Sequence, residues 1–194
     1  LSTASGIFTT SPVEAADAAQ SLGFPVVLKV LAEGVVHKSN VGGVRLNVRN
    51  IQQALEESEE LLENVRTKAP YARIRGIFVQ RQINVENGRE LRINIQTDSR
   101  FGPVIRFGAG GRMGDIYQDS ALELLPLTEP LARKLIEKPQ IAQSLNNFRG
   151  MPEVNKDALV QVLLRLSTLV TEIPAIRNLN IDPLLVDEGG CVVL

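Results

Sequence analysis

The stretch HKSNVGGVRLNV, which spans residues 37–48, joins a polar loop and two adjacent glycines to an alternating segment. It contains the only histidine of the chain, His37. The segment before it, FPVVLKVL at residues 24–31, is almost entirely apolar, which is typical of a short strand buried on both faces. After the glycines, apolar and polar residues alternate, which indicates a strand with one buried face. The stretch therefore predicts two consecutive strands with a glycine loop between them.

Helix signals flank these two strands. Ser11 followed by Glu14 predicts a capping box at the start of a first helix, and Gly23 predicts its end. Asn50 predicts the start of a second helix over residues 51–66, which carries an apolar stripe. The first part of the chain therefore has the order helix, strand, strand, helix.

The second part of the chain changes to strands, then helices, then a closing hairpin. We expect strands at 74–83, 89–97 and 103–108, helices at 128–138 and 155–173, and a hairpin at 178–194. Strands mixed with segregated helices are typical of α+β proteins, and ligands usually bind in clefts between lobes. The sequence thus predicts an α+β fold of two lobes, residues 1–73 and 74–194, with a ligand cleft between them.

Composition and charge limit the classes of function. The 194 residues are 44% hydrophobic and 22% charged, with a net charge of −1. This balance excludes a strongly basic surface, so nucleic acid is not an expected partner. The apolar runs are too short to cross a membrane, so no membrane association is expected either. Cys191 is the only cysteine, which excludes an internal disulfide and fits a reducing cytoplasm.

Several residues around the first loop could bind an anion. Lys29 interrupts an apolar strand, so it is either an edge lysine that extends to water or a lysine aimed at an anion in a cleft. Gly42 and Gly43 predict either a tight hairpin turn or a nest of backbone N–H groups for an anion. His37 and Lys38 lie in the same loop. Together these residues gather cations and N–H donors around one loop, which favours a polyphosphate ligand.

Two features of the second part point in a similar direction. FGAGGRMGD, at residues 107–115, is a second glycine loop, either a mobile surface loop or part of a ligand site. Asn180 and Asp182 are two residues apart, so in a strand they share one face. Their oxygens are plausible Mg²⁺ ligands, although a polar strand end before a proline turn would give the same pattern.

Four segments, in this order, resemble one known family: GFPVVLKV, HKSNVGGVRLNV, FGPVIRFGAGG and NIDPLLV. They are similar to the ATP-grasp domain of NDP-forming acyl-CoA synthetases, the acetate–CoA ligase (ADP-forming) family, over essentially the whole chain. The segment QDSALELLPLTEPLARKLIEK is more similar to the branch whose chains also carry a GNAT protein-lysine acetyltransferase domain. The resemblance implies an ATP-grasp fold, in which two α+β lobes hold ATP between them.

The resemblance implies a role for each matching residue. Lys29 matches a phosphate-binding lysine, and residues 39–43 match a glycine-rich flap over the phosphates. His37 matches a histidine implicated in phosphate relay. The backbone of residues 80–82 would read adenine, and residues 110–111 would face a phosphohistidine of a partner domain. The implied nucleotide-binding residues are Lys29, Lys38, Ser39, Gly42, Gly43, Gln80, Arg81, Gln82, Glu90, Gly110 and Gly111.

The same resemblance implies Mg²⁺ at Asn180 and Asp182, with ATP or ADP as the nucleotide, although the family's usual order of acid and amide at these two positions is exchanged here. The implied partners are CoA-binding and ligase-CoA domains of the same or a partner chain. Because the sequence begins without a methionine and stops within the apolar run CVVL, we expect it to belong to a longer multidomain polypeptide. The implied function is phosphoryl transfer between ATP or ADP and a phosphohistidine or acyl phosphate. The alternatives are a nucleotide- or acyl-CoA-sensing domain that regulates a fused acetyltransferase, and a scaffold that binds no nucleotide.

Overall fold

A computed structural model describes residues 2–35, 38–83, 87–111, 114, 116 and 118–194. The chain divides into two compact units, Ala4–Asn84 and Val85–Leu194, and the second unit also includes Leu1–Thr3. The sequence predicts a boundary after residue 73. The structure places it later, because the strand Arg73–Arg81 pairs with strands of the first unit.

The elements follow in chain order. The described strands are β1 (Ser2–Thr3), β2 (Gly6–Thr9), β3 (Val26–Glu33), β4 (Val44–Val48), β5 (Arg73–Arg81), β6 (Arg89–Asp98), β7 (Gly102–Ala109), β8 (Ser120–Leu124), β9 (Asn178–Val186) and β10 (Cys191–Val193). The described α-helices are α1 (Pro12–Leu22), α2 (Ile51–Lys68), α3 (Glu129–Glu137), α4 (Ala142–Leu145) and α5 (Lys156–Glu172), and a short 3₁₀ helix spans Lys38–Val41. The helices and strands that the sequence predicts are present, and β1, β2, β8 and α4 are additional. Within the described residues, no helix combines the length and the apolar character that a membrane crossing requires.

The predicted helix ends of the first unit are present, although the Glu14 carboxylate accepts from the N–H of Thr10, the residue before the N-cap, at 2.8 Å. Ser11 Oγ accepts a hydrogen bond from the Glu14 N–H at 3.2 Å. Gly23 ends α1 with a φ of +80°, a conformation that favours glycine. Asn50 Oδ1 accepts from the Gln53 N–H at 2.8 Å at the start of α2. These caps satisfy N–H groups that the first helical turn leaves without intrahelical partners.

The first unit contains an antiparallel sheet with the strand order β2-β5-β3-β4. α1 and α2 pack against one face of it, where Val26, Leu28 and Val30 of β3 are fully buried. Because successive side chains of a strand point to opposite faces, Val27 and Lys29 lie on the other face. We call this surface, with Val27, Lys29 and Gln80, the Lys29 face.

The second unit contains a six-stranded sheet with the order β1-β10-β9-β6-β7-β8, antiparallel except where β1 meets β10. Leu91, Ile93 and Ile95 of β6 are buried in the core that α3 and α5 complete, so every second residue of this part of the strand faces the core. The opposite face carries the polar residues of β6, including Arg92 and Asn94. β9 pairs with β6 and brings polar residues to the same face.

Candidate functional site

Lys29 lies in the interior of the first sheet. Its strand, β3, pairs with β5 on one side and with β4 on the other, so Lys29 is not an edge residue. Its Nζ donates a hydrogen bond to Gln80 Oε1 at 2.5 Å. Gln80 stands directly opposite Val27, two residues before Lys29, so both polar side chains project from the same face. The interpretation as an edge lysine is therefore wrong.

The charge of Lys29 has no anionic partner among the described residues. Burial lowers the pKa of Lys29, and the positive charge of Lys38 lowers the pKa further. The ion pairs that form among the described residues involve neither lysine. Gln80 orients the ammonium group but supplies no negative charge to neutralise it. This arrangement favours an anionic ligand at the Lys29 face.

The first glycine loop is closed by its own hydrogen bonds. The Gly43 N–H donates to the Lys38 carbonyl at 2.8 Å, and the Gly42 N–H donates to the Ser39 carbonyl at 3.1 Å. A Cβ on Gly43 would lie 2.5 Å from Val30 Cγ1, and Gly42 has a φ of +71°. Packing and turn geometry therefore both require glycine here. In this conformation the two N–H groups do not form the predicted anion nest, because carbonyl groups of the loop already accept from them.

Arg45 fastens this loop to α2, a role that its position in an alternating strand does not reveal. Its Nη1 donates to the Gly42 carbonyl at 2.8 Å, and its Nε donates to Glu57 at 2.5 Å. A longer ion pair joins Nη2 to Glu60 at 3.5 Å. Glu57 and Glu60 are three residues apart on one helical face, and this pair of acids is the signal that could have indicated a basic partner.

The segment 80–82 makes hydrogen bonds within the first unit. The N–H groups of Arg81 and Gln82 donate to carbonyl groups of neighbouring segments at 2.9 and 3.0 Å. The Gln82 side chain accepts from the Asn47 N–H at 2.7 Å and donates to Asn47 Oδ1 at 2.8 Å. A base could still bind the carbonyl oxygens of the segment, because each oxygen has two lone pairs. Adenine recognition by this segment stays a prediction.

The second glycine loop passes directly over Glu90. The Gly110 N–H donates to the Glu90 carbonyl at 2.9 Å. A Cβ on Gly110 would overlap the backbone of Leu91, and a Cβ on Gly111 would overlap the Glu90 carboxylate. Gly111 also has a φ of +58°. Close approach to β6 therefore requires both glycines.

Asp182 connects this loop to Arg92. Its Oδ1 accepts from the Gly111 N–H at 2.9 Å. Its Oδ2 accepts from Nε and Nη2 of Arg92 at 2.7 and 2.6 Å. Arg92 and Asp182 belong to the neighbouring strands β6 and β9, and their side chains are 28% and 19% exposed. The sequence indicates Asp182 and Gly111 separately, but it does not indicate Arg92, which brings the cluster together.

A cavity adjoins Arg92 in the second unit. Its volume is about 290 Å³, and Arg92, Arg106 and Ser120 contribute to its lining. Asp119 also lines it, but its carboxylate already accepts from the N–H groups of residues 140 and 141 at 2.8 and 2.7 Å. The described lining therefore favours an anion over a cation.

As the structure places them, Asn180 and Asp182 do not fit a magnesium site. Mg²⁺ requires near-octahedral oxygen ligands at roughly 2.0–2.1 Å, but Arg92 already occupies one oxygen of Asp182 and would repel a cation. Asn180 lies opposite Asn94 and offers only a neutral amide oxygen. Within the described ranges, no three His, Cys, Asp or Glu side chains form a group that could hold a metal. The contacts of Arg92 therefore do not favour this pair as metal ligands, and their assignment stays a prediction.

Part of the predicted site lies outside the described residues. His37, the implied relay residue, is one of these, and so are residues 112, 113 and 115 of the second glycine loop. The relay role of His37 therefore stays a prediction.

The chain matches the family described as the ATP-grasp domain over residues 1–194, and it belongs to that family. It is 38% identical over 182 residues to the ADP-forming acetate–CoA ligase I of Archaeoglobus fulgidus. This alignment covers 93% of this chain and 26% of that protein. It is 30% identical over 181 residues to subunit beta of the ADP-forming acetate–CoA ligase I of Pyrococcus furiosus, which covers 93% of this chain and 77% of that subunit. The chain thus spans about a quarter of the first relative and about three quarters of the second.

Solved structures confirm the ATP-grasp fold. The dinucleotide-forming acetyl-coenzyme A synthetase 1 of Ca. Korarchaeum cryptofilum, in complex with coenzyme A, Ca-AMPCP and HgCl⁺, matches with a TM-score of 0.93 and 33% identity. The match covers 100% of this chain and 83% of that one. A complex of the same synthetase with coenzyme A and Mg-AMPPCP matches with a TM-score of 0.81 and 30% identity, covering 100% of this chain and 82% of that one. The chain is thus an ATP-grasp domain of the ADP-forming acyl-CoA synthetase type. None of these relatives is described with an acetyltransferase domain, so a GNAT partner stays a prediction.

Proposed function

We propose that this chain is the nucleotide-binding domain of an ADP-forming acyl–CoA ligase and that Lys29 binds the phosphates of ATP or ADP. The observation that carries the proposal is the Lys29 ammonium group, which Gln80 aligns at 2.5 Å and which pairs with no described carboxylate. Lys38 adds a second cation close enough to lower the pKa of Lys29. The Korarchaeum synthetase, which holds non-hydrolysable nucleotide analogues, supports the same ligand class.

Within each unit, other described residues are also suited to a nucleotide. Carbonyl oxygens of residues 80–82 are acceptors suited to the amino group of adenine. Gly110 and Gly111 keep the second loop close to Glu90, and Arg92 supplies positive charge beside that loop. A magnesium ion bound to the nucleotide would neutralise part of the phosphate charge.

The histidine of the first loop is proposed as a phosphoryl carrier. With a pKa near ~6.5 an ordinary histidine is largely neutral at the pH of the cell, so its nitrogen can attack phosphorus. Starting from ATP, the N–P bond would form as the bond from the γ-phosphorus to the bridging oxygen breaks and ADP leaves, and Lys38, the next residue in sequence, would balance the transferred charge. His37→Asn can keep one hydrogen bond but cannot carry phosphate, so it separates a carrier from a purely structural residue.

The complete reaction would be acyl-CoA + ADP + phosphate ⇌ acid + CoA + ATP. This domain would bind the nucleotide, whereas CoA-binding and ligase-CoA domains of the same or a partner chain would bind the thioester. The support is that the relatives are either subunits or longer chains in which the present sequence corresponds to one part.

The test uses the full-length protein that contains this chain. Calorimetry should show binding of ADP and ATP, and acetyl-CoA or a longer acyl-CoA with ADP and labelled phosphate should yield labelled ATP. His37→Asn should abolish ATP formation and keep ADP affinity within a few-fold of the wild type. ATP formation at the wild-type rate by His37→Asn would contradict the carrier role.

The two alternatives predict different results in the same experiment. A nucleotide sensor would bind ADP but form no ATP with any acyl-CoA, and a scaffold would bind neither nucleotide. The relatives named above support neither alternative. A folded wild-type protein that binds no nucleotide would overturn the proposed function itself.

A further inference from the structure

Gln80 is a buried polar residue in the interior of the first sheet. Its side chain is on the Lys29 face, directly opposite Val27, and the residue is only 5% exposed. Its strand is also paired on the other side, where Gln80 is opposite Gly6. Sheet pairing therefore fixes its backbone, and its side chain has few directions available.

The hydrogen bond to Lys29 fixes which way the amide points. An ammonium group has three donors and no acceptor, so the oxygen of the amide must face Lys29 Nζ, as it does at 2.5 Å. The donor-only chemistry of the ammonium group therefore determines which end of the Gln80 amide faces Lys29. Nε2, with its two N–H donors, points away from Lys29.

Nε2 of Gln80 has no partner in the described part of the chain. No described residue accepts a hydrogen bond from it. Among the described residues, only Ser58 Oγ is a side-chain polar atom that has no hydrogen-bond partner and is also inaccessible to solvent. Nε2 of Gln80 has no partner either, so it must be accessible to solvent. Buried amide groups in proteins nearly always find partners. A buried residue with a donor that reaches the Lys29 face is therefore suited to a ligand acceptor.

We propose that Gln80 has two tasks in ligand binding: its Oε1 positions Lys29, and its Nε2 donates to a phosphate oxygen of the nucleotide that Lys29 binds. This inference rests on the proposed function. Because Lys29 Nζ contacts the amide group that carries Nε2, the two donor groups lie close together on the Lys29 face. A phosphate group presents several acceptor oxygens within such a region, and the nearby charge of Lys38 favours the same group.

A double-mutant cycle on the full-length protein separates the two tasks. The variants are Lys29→Met, Gln80→Leu and the double variant, with calorimetric titration of ADP. If Gln80 acted only through Lys29, Gln80→Leu would have no further effect once Lys29 was replaced. We expect Gln80→Leu to weaken ADP binding about three- to tenfold in the Lys29→Met background, as for loss of one neutral hydrogen bond. Equal affinities of Lys29→Met and the double variant would overturn the direct contact.

Two further measurements complete the experiment. One identifies the group that Gln80 contacts, and the other is a matched structural control. AMP, ADP and ATP are compared, because a contact to the outer phosphates predicts a loss with ADP and ATP that exceeds the loss with AMP. An equal loss for all three nucleotides would overturn the phosphate assignment. Thr9→Val removes another buried side-chain hydrogen bond of this sheet, from Thr9 Oγ1 to the Ile77 carbonyl at 3.0 Å, and should leave ADP affinity unchanged. Wild-type protein that binds no ADP would instead refute the proposed function.

Discussion

The ion pair between Arg92 and Asp182 can be tested by Asp182→Asn. Asparagine keeps the shape of the side chain and an oxygen that can accept from the Gly111 N–H, but it removes the charge that Arg92 contacts at 2.6 and 2.7 Å. Hydrogen bonds to charged groups contribute about 1.5–3 kcal/mol each when well shielded. Side-chain exposures of 28% and 19% mean partial screening, so we expect a total loss of about 2 kcal/mol.

Denaturant and thermal unfolding measure this loss. A change of about 2 kcal/mol in a chain of this size corresponds to a decrease of roughly 4–8 °C in the melting temperature. Glu33→Gln is the matched control, because Glu33 forms a cross-strand pair with Arg75 whose side chains are 57% and 49% exposed. For this exposed pair the expected loss is below about 1 kcal/mol.

Arg92→Gln completes the cycle and decides between two roles of Asp182. Arg92 makes further contacts, so its single variant should lose more than the pair alone, but the coupling energy isolates the pair. We expect a coupling of at least about 1 kcal/mol. Strictly additive effects would refute the ion pair. Stabilisation by Mg²⁺ alone that is present in the wild type and absent in Asp182→Asn would instead show that Asp182 is a metal ligand.

Three other predictions concern the lysine and the two glycine loops. Lys29→Met should weaken ADP binding roughly 10- to 100-fold in calorimetry, because it removes a charge-assisted bond of about 1.5–3 kcal/mol; an unchanged Kd would contradict the assignment. Burial lowers the pKa of Lys29, so ADP affinity should be at its maximum below that pKa and should decrease as the pH rises through it. The decrease should begin at a lower pH than for an ordinary lysine, whose pKa is near ~10.4. Lys29→Arg should remove this decrease. Gly43→Ala and Gly111→Ala should each cost about 1–3 kcal/mol in denaturant unfolding, because the new methyl group would meet Val30 in one case and the Glu90 carboxylate in the other; wild-type midpoints would show that the loops rearrange freely.

The features that the sequence predicts correctly are those that residues a few positions apart decide. Ser11 and Asn50 cap helices because their side chains reach N–H groups three residues later. The alternation in β6 places Leu91 and Ile93 in the core because its pairing with β7 is regular from Leu91 to Asp98. In such cases tertiary structure adds nothing that contradicts the local pattern.

The alternation in β4 is less reliable. Leu46 is 63% exposed, although it alternates with Val48, which is fully buried. The pairing of β3 with β4 shifts register between Val26 and Leu28, and Asn47 has a φ of +59°. A shift of one residue exchanges the faces of the strand, and such a shift depends on the partner strand.

The side-chain contacts of the candidate site could not be predicted from the sequence, because they also depend on which strands pair. Lys29 and Gln80 are 51 residues apart, and Arg92 and Asp182 are 90 residues apart. Arg92 stands in a strand of ordinary alternating sequence, and Gln80 follows three consecutive apolar residues, 77–79, in another predicted strand. Only the pairing of β3 with β5, and of β6 with β9, shows which polar residues meet.

The exchange of acid and amide at residues 180 and 182 has a physical consequence for charge. The Asp182 carboxylate already contacts Arg92 and the Gly111 N–H. Arg92 neutralises its negative charge, so the carboxylate attracts a cation only weakly. Asn180, opposite Asn94, adds no charge of its own. In the first unit, Lys29 is the cation that we propose to balance phosphate charge, because its only described hydrogen-bond partner is a neutral amide. Affinity that depends on such direct cation–phosphate contacts decreases with salt concentration, whereas affinity through a protein-held metal depends on the metal concentration.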